Sequence, residues 1–327
     1  VPEPLPELSP DEASDPLIGA FSGGLAALLG RAPREGERFG VAVSGGPDSL
    51  ALLDLAGTVL PGQVEAATVD HGLRVEGTAE AAMVAEWCAT LAIPHRTLRP
   101  AEPIGGSVQA QARAARYALL DGWMADRSLD WLLTAHHADD QLETMLMRLN
   151  RASGVSGLAG VRARRGRVLR PLLGVRKAVL EAHVRVRAIP HVTDPSNADD
   201  RFDRARLRGI LAGVDWLDPV AASRSAQALA DAEAAIEWSV EQLYLRHVAA
   251  RGDTLVLTDT AMPHEYRRRI LRRMVATLAP DAPEPRGEQI ERAILQLSHG
   301  SKLSIGACVA TGGSVWTIRR APPRRSG

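Results

Sequence analysis

The block Ser44-Gly45-Gly46-Pro47-Asp48-Ser49 constrains this chain more than any other feature. It lies between an apolar run, Phe39 to Val43, and a stretch of helix-forming residues from Ser49 to Leu60. Two consecutive glycines let the backbone turn through angles closed to other residues. Pro47 has no amide hydrogen and suits a first helical turn. Strand, tight turn and helix in that order converge the unpaired amides of a helix start on one point, which makes an anion site. The hydroxyls of Ser44 and Ser49 flank it. Asp48 is at odds with a bare phosphate, because a carboxylate there repels the anion unless a cation sits between them. The block therefore predicts a nucleoside triphosphate held with magnesium. No Gly-Lys-Ser/Thr follows, so this is not a Walker loop, and the third glycine of a dinucleotide fingerprint is missing.

Strands and helices alternate on both sides of this turn. Strands are expected at Phe39–Val43, Val64–Val69, Pro94–Leu98 and Trp131–Thr134, with helices at Leu17–Leu29, Ser49–Leu60, Thr78–Leu91, Ser107–Asp126 and Asp139–Leu149. That alternation predicts an α/β, Rossmann-like parallel sheet with helices on both faces. Loops after the strands at Val43, Val69 and Thr134 would open at one sheet edge, where such sheets place ligands. Lys177–Ala188 reads as a helix, and the polar stretch Pro190–Arg208 leads into another. A long alanine-rich helix, Ala221–Ala249, reads as a connector. Beyond it a smaller α+β domain is expected, with a strand at Leu255–Thr258, helices at Glu265–Leu278 and Gly287–Leu297, and a hairpin. In that hairpin Leu303–Ala310 and Ser314–Arg319 flank Gly312-Gly313. The expected organisation is an acidic, flexible arm over residues 1–15, a catalytic domain over 16–217, and a connector with a C-terminal domain over 218–327.

Composition excludes several classes. Cys88 and Cys308 have no CxxC spacing, so neither a cysteine metal site nor a disulfide-built secreted scaffold is supported. No apolar run is long enough to cross a bilayer, and the acidic start lacks the form of a signal peptide, so a cytoplasmic protein without membrane contact is expected. Net charge is zero. A nucleic-acid partner would then rely on local patches, and Arg162 to Lys177 offers one, with seven basic residues and no acidic one.

Two further motifs join the glycine turn. Asp70-His71-Gly72-Leu73-Arg74 follows the second strand, and His71 is a candidate contact for adenine or ribose. Thr134-Ala135-His136-His137-Ala138-Asp139-Asp140-Gln141-Leu142-Glu143 follows the fourth. Asp140 and Glu143 are three apart on one helical face. One carboxylate could share magnesium with Asp48, while the imidazoles meet phosphate charge. A zinc site is the competing reading of His-His-x-Asp-Asp. Arg113 and Arg116, also three apart, could receive an anionic substrate or intermediate, or simply form a solvated helix face.

These motifs together resemble the bacterial tRNA(Ile)-lysidine synthetases, members of the N-type ATP pyrophosphatase superfamily. The likeness rests on Ser44 to Ser49, Asp70 to Arg74, Ala112-Arg113-Ala114-Ala115-Arg116-Tyr117, Thr134 to Thr144, Arg170-Pro171-Leu172-Leu173, and Asp194-Pro195-Ser196-Asn197 through Arg208. It is strong over about residues 38–215. The resemblance implies ATP-dependent adenylation of the C2 oxygen of the wobble cytidine in tRNA(Ile) with a CAU anticodon. The ε-amine of free L-lysine then displaces AMP. It implies nucleotide contacts at Ala42, Ser44, Gly45, Gly46, Asp48, Ser49 and His71, magnesium at Asp48 and Asp140, and catalytic roles for Asp48, Asp140, Arg113, Arg208 and His136. No obligate protein partner is implied, and a homodimer is compatible with it.

One departure stands out. The family's Arg-Asn-x-x-Arg is here Arg204-Ala205-Arg206-Leu207-Arg208, so an amide is missing at Ala205. The resemblance also implies that the region after Asp218 holds tRNA, through Arg267, Arg268, Arg269, Arg272 and Arg273 or else with these as a solvated face. Three rival readings are a tRNA thiolation enzyme of the same superfamily, which would need paired cysteines, an amidotransferase-type synthetase, and a noncatalytic nucleotide- or RNA-binding protein.

Overall fold

The computed structural model describes residues 16–72, 76–100, 108–192 and 203–322 of the 327-residue chain. The N-terminal arm, Leu73-Arg74, Gly105-Gly106 with Ser107, and Asp194-Pro195-Ser196-Asn197 lie outside them. The chain forms two compact units, Val1–Ala230 and Asp231–Gly327.

In the first unit α1 (Pro16–Leu29) precedes β1 (Phe39–Ala42), α2 (Pro47–Val59), β2 (Val64–Val69), α3 (Glu76–Thr90), β3 (His95–Leu98), α4 (Val108–Asp126), β4 (Trp131–Leu133) and α5 (Ala138–Leu149). After these come α6 (Val155–Leu158), β5 (Arg164–Arg165), β6 (Val168–Leu169), α7 (Lys177–Val186), α8 (Asp203–Leu211) and the long α9 (Pro219–His247). The six strands are ordered β3-β2-β1-β4-β6-β5. All pairings are parallel except β5 with β6. Phe39 is in register with Val64 on one side and Trp131 on the other. Chain order reverses at β1, so the crevice between the ends of β1 and β4 is the topological switch point.

The central strands β1 and β4 are apolar on both faces because both faces are covered. One face packs Phe39, Val41, Leu133 and Leu169 against Leu50, Leu53 and Leu180. The other rests on Trp123, Met124 and Leu129. Gly40 is the fulcrum of that second face. A Cβ there would meet the Trp123 ring at 2.7 Å, so a glycine in mid-strand admits the indole.

The short β5–β6 hairpin has no counterpart among the expected strands. It lies in the arginine-rich stretch, where alternation is masked, and it turns at Gly166 with φ +58°.

The second unit contains the latter part of α9, then β7 (Val248–Arg251), β8 (Thr254–Leu257), α10 (His264–Leu278), α11 (Gly287–Ser298), β9 (Lys302–Ile305), β10 (Cys308–Thr311) and β11 (Trp316–Arg320). Its antiparallel sheet runs β7-β8-β11-β10-β9. Trp316, Ile318, Ile270, Leu271, Ile290 and Leu297 make its core, all fully buried. Two expectations are corrected. The run Leu303–Ala310 is two strands, because Gly306 takes φ +54° and turns the chain between them. The alanine-rich helix stops at His247, and Val248–Arg251 pairs with β8 instead. The compact units divide at 230–231, inside α9, whereas the sequence places the boundary at 217–218. Among the described residues no helix is long and apolar enough to cross a membrane.

Candidate active site

The glycine turn has the geometry its composition predicts. Gly45 takes φ +85° in the left-handed region, Gly46 is the N-cap of α2 with no side-chain cap, and Pro47 begins the helix. The uncapped first turn leaves amides for an anion. Ser49 is buried, and its hydroxyl works inside the loop. Its Oγ donates to Gly46 O at 2.9 Å, accepts from Ser44 N at 3.1 Å and meets Ser44 Oγ at 3.2 Å. Ser49 therefore shapes the turn. Val192 N donates to Gly45 O at 3.0 Å, which ties the turn to the chain ahead of residue 193.

His137, one of the two imidazoles expected to meet phosphate charge, is the hinge between the first and third motifs. It is the N-cap of α5, buried at 2% exposure. Its Nδ1 accepts from Asp140 N at 3.3 Å while its own amide donates to Asp140 Oδ2 at 3.2 Å, a capping box. Its Nε2 lies 3.5 Å from Asp48 Oδ2 and 3.6 Å from Asp140 Oδ2. Burial lowers the pKa of the ring, but Asp48, Asp140 and Asp139 outweigh it and the net direction is upward. The Asp140 amide opposes that rise, since a doubly protonated ring could not accept its hydrogen. Asp139 also serves the scaffold, because its Oδ2 accepts from Lys177 N at 2.7 Å and caps the start of α7.

Asp48 and Asp140 thus share one imidazole. Asp48 Oδ1 is buried and makes no hydrogen bond. An orphaned carboxylate oxygen beside uncapped amides fits a hard cation bridging to phosphate. No cluster of three or more His, Cys, Asp or Glu side chains that could hold a metal ion occurs among the described residues.

Glu143 sits one helical turn beyond and is 3% exposed. Arg208 Nε donates to its Oε1 at 2.6 Å and Arg204 Nε lies 3.2 Å from its Oε2. Arg208 also reaches Asp140 Oδ1 at 3.5 Å, and Arg204 donates to Thr144 Oγ1 at 2.8 Å. Burial raises the Glu143 pKa against the pull of Arg208. Ala205 follows Arg204 in the same helix and is 9% exposed.

His136 faces a different neighbourhood. Arg170, buried at 5% exposure, donates from Nε to His136 Nδ1 at 3.3 Å, from Nη1 to Arg162 O at 2.7 Å and from Nη2 to Tyr117 Oη at 3.4 Å. Arg113 stacks over Tyr117, with 5.2 Å between its guanidinium carbon and the ring centroid. Burial, helped by Arg170, Arg113 and Arg204 and opposed by Asp140, pushes the His136 pKa down to about 4.

His71, the second residue of the second motif, keeps both ring nitrogens buried without hydrogen bonds. Burial and Arg116 lower its pKa, with Asp70 opposing. Asp70 builds that loop, accepting from Gly72 N at 2.9 Å and from Arg99 Nε at 3.1 Å. Ala42, at the last position of β1, is half-buried.

Two basic patches expected to face RNA are largely engaged elsewhere. In the stretch from Arg162 to Lys177, Arg170 is buried, Arg164 donates to Leu28 O and stacks on Trp131, and Arg167 donates to Asp130 O. On α10, Arg268 pairs with Glu265, Arg272 with Glu284 and Arg273 with Glu241. Arg269 is 8% exposed and pairs with Glu233, Glu237 and Glu265. Arg267 donates to Ser298 Oγ at 3.2 Å, Arg272 and Arg273 stay 44% and 40% exposed, and the row forms an ion-pair lattice in which Arg269 and Arg273 join α9 to α10.

Comparison with known proteins identifies the family and the fold. The family model of the PP-loop domain matches residues 18–213. A protein of Zymomonas mobilis subsp. mobilis named tRNA(Ile)-lysidine synthase is 38% identical over 319 residues, covering 95% of this chain and 96% of its own length. One of the same name from Novosphingobium aromaticivorans is 43% identical over 295 residues, covering 88% and 90%. Among solved structures, a U34-tRNA thiolase from Methanococcus maripaludis superposes with a TM-score of 0.53 at 16% identity, over 65% of this chain and 78% of that one. That likeness concerns the fold alone.

Proposed function

This chain belongs to the tRNA(Ile)-lysidine synthase family, and from that premise we infer how the loops at its sheet edge make lysidine. The protein is a ligase that uses ATP and acts on tRNA(Ile). The single observation that carries the residue-level reading is the meeting of Asp48 and Asp140 at His137, with Asp48 Oδ1 buried and unpartnered.

In the proposed reaction the C2 oxygen of the wobble cytidine attacks the α-phosphorus of ATP and pyrophosphate leaves. The ε-amine of lysine then bonds to C2, the C2–O bond breaks, and AMP departs with the oxygen. Magnesium bound by Asp48 and Asp140 would neutralise the phosphate charge that leaves. The turn amides at Gly45 and Gly46 receive phosphate oxygens, and His71 offers ring nitrogens to the base or ribose. Glu143 Oε2 is buried without a hydrogen bond, although Arg204 is near, so it has acceptor capacity for the lysine ammonium. Arg208 holds Glu143 and Asp140 at a fixed separation. The cytidine must leave the anticodon stack to reach this edge, which costs little in a loop.

Thiolation by the same fold is disfavoured by the cysteines. Cys88 and Cys308 are both buried and free, and burial pushes the Cys88 thiol up to about 12, far from a reactive thiolate. The test incubates the full chain with labelled lysine, ATP-magnesium and transcripts of tRNA(Ile). Label is expected only in the CAU transcript. Equal labelling after replacement of its wobble cytidine would defeat the reading.

A further inference from the structure

We propose that Arg170 is a positioning residue that locks His136 as the neutral Nε2–H imidazole, so that His136 acts as a fixed hydrogen-bond donor to a substrate phosphoryl oxygen and not as a proton acceptor. The role of the donor rests on the reading that this sheet edge receives ATP. The lock itself rests on geometry alone.

A guanidinium has only donors. Arg170 Nε–H meets His136 Nδ1 at 3.3 Å, so Nδ1 presents its lone pair and carries no hydrogen. The hydrogen of a neutral ring must then lie on Nε2. Thr134 Oγ1, 3.2 Å from the same Nδ1, agrees with this because a hydroxyl can turn its hydrogen toward that lone pair. Among the described residues none bonds Nε2, so the donor is available.

Arg170 cannot swing away cheaply. Its other two nitrogens bond Arg162 O and Tyr117 Oη, and the residue is buried. The next residue is clamped as well: Gly24 of α1 has no Cβ, and one built there would lie 2.5 Å from Pro171 O. A three-way fork fixed by a close backbone contact is a rigid support, which a flexible ammonium could match only in part.

The charges around the ring favour the same state. Burial, Arg170, Arg113 and Arg204 disfavour the imidazolium, and Asp140 opposes them. A second proton would have to enter at Nδ1 and break the Arg170 bond. The neutral Nε2–H form therefore persists through the neutral range. A base at this position would need Nε2 bare, which the lock denies. A donor whose hydrogen is already placed suits an oxygen that gains negative charge as pyrophosphate or AMP separates, and it needs no reorganisation at that moment.

The test begins with the tautomer. Nitrogen-15 spectra of the full chain labelled at histidine, with the His136 signals assigned by His136→Gln, are expected to show a pyrrole-type Nε2 and a pyridine-type Nδ1 across neutral pH. A dominant Nδ1–H form or an averaged ring in the unmodified protein would overturn the lock. Arg170→Met should release the ring into a mixture of tautomers, and Arg170→Lys should restore the single form in part. The wild-type spectrum decides the lock even if the methionine variant does not fold.

Kinetics test the role. Glutamine places an amide donor near Nε2, whereas asparagine places one near Nδ1. His136→Gln is expected to retain at least about tenfold more kcat than His136→Asn, with little change in KM for ATP. Equal collapse of the two variants would overturn the donor role. A single Nε2–H form in a protein that never joins lysine to tRNA would refute the proposed reaction and leave the lock standing.

Discussion

The two units use arginine in opposite ways. At the sheet edge of the first unit Arg170 and Arg113 rest on neutral groups, the His136 ring, Arg162 O and Tyr117, while Arg204 and Arg208 meet Glu143. On α10 of the second unit Arg268, Arg269, Arg272 and Arg273 each have a glutamate partner. Cations held by neutral acceptors keep positive potential available for an anion. Cations matched by carboxylates hold helices together. A row of arginines in a sequence therefore does not announce an RNA surface, and the carboxylates that folding brings within reach decide its use.

The largest effect should come from removing a carboxylate at the edge. Asp48→Asn is expected to lower lysine incorporation by about a hundred- to a thousandfold or more, while thermal unfolding and tRNA affinity change little. Activity and stability falling together would make Asp48 part of the scaffold and erase the contrast between the units.

A paired substitution sharpens it. Arg269→Met strands Glu233, Glu237 and Glu265, which are partly solvated, so the loss of unfolding free energy should be about 1–3 kcal/mol. Arg208→Met should instead reduce kcat with a smaller loss of stability, because it releases Glu143 and Asp140 at the site. Circular dichroism melts beside single-turnover assays would separate the two. The reverse pattern would break the comparison.

The fold was legible because its patterns are local. Apolar strands, the glycine turn and the alternation of elements each occupy a few adjacent residues. What escaped depended on distant partners. His137 and His136 are indistinguishable as letters, and only the start of α5 at Ala138 makes the first a buried cap and leaves the second beside Arg170. Arg170 was legible as part of Arg-Pro-Leu-Leu, yet its partners Tyr117 and Arg162 lie elsewhere in the chain. The ion pairs of Arg269 and Arg273 escape for the same reason: Glu233, Glu237 and Glu241 are some thirty residues earlier in the chain and meet them only after folding.

Acid titration gives a smaller effect in both units. Hydrogen bonds from Arg268, with Arg269 assisting, hold the Glu265 pKa down to about 2 from 4.5. Arg31, with Arg34 and Trp131 assisting, does the same for Glu37, again to about 2. A carboxylate depressed on folding stabilises above its unfolded pKa and loses that contribution as pH falls toward its folded one. Each unit should therefore weaken between about pH 4.5 and pH 2. Glu265→Gln should flatten this dependence in the second unit alone, as read by acid unfolding monitored at its tryptophans. An unchanged acid profile would show that the lattice on α10 contributes nothing.

The smallest effect is expected at the edge of that lattice. Arg272 and Glu284 pair at 2.7 Å, but their side chains are 44% and 69% exposed, so solvent screens the attraction. Arg272→Ala should change stability by no more than about 0.5 kcal/mol. If α10 is a scaffold, the same substitution should leave the salt dependence of tRNA binding unmoved. If Arg272 instead leaves its glutamate to contact a phosphate, the slope of log affinity against log salt should fall by about 1. One titration on the full chain separates these outcomes. A shallower slope would place at least this arginine among the RNA contacts and narrow the contrast to the buried Arg269.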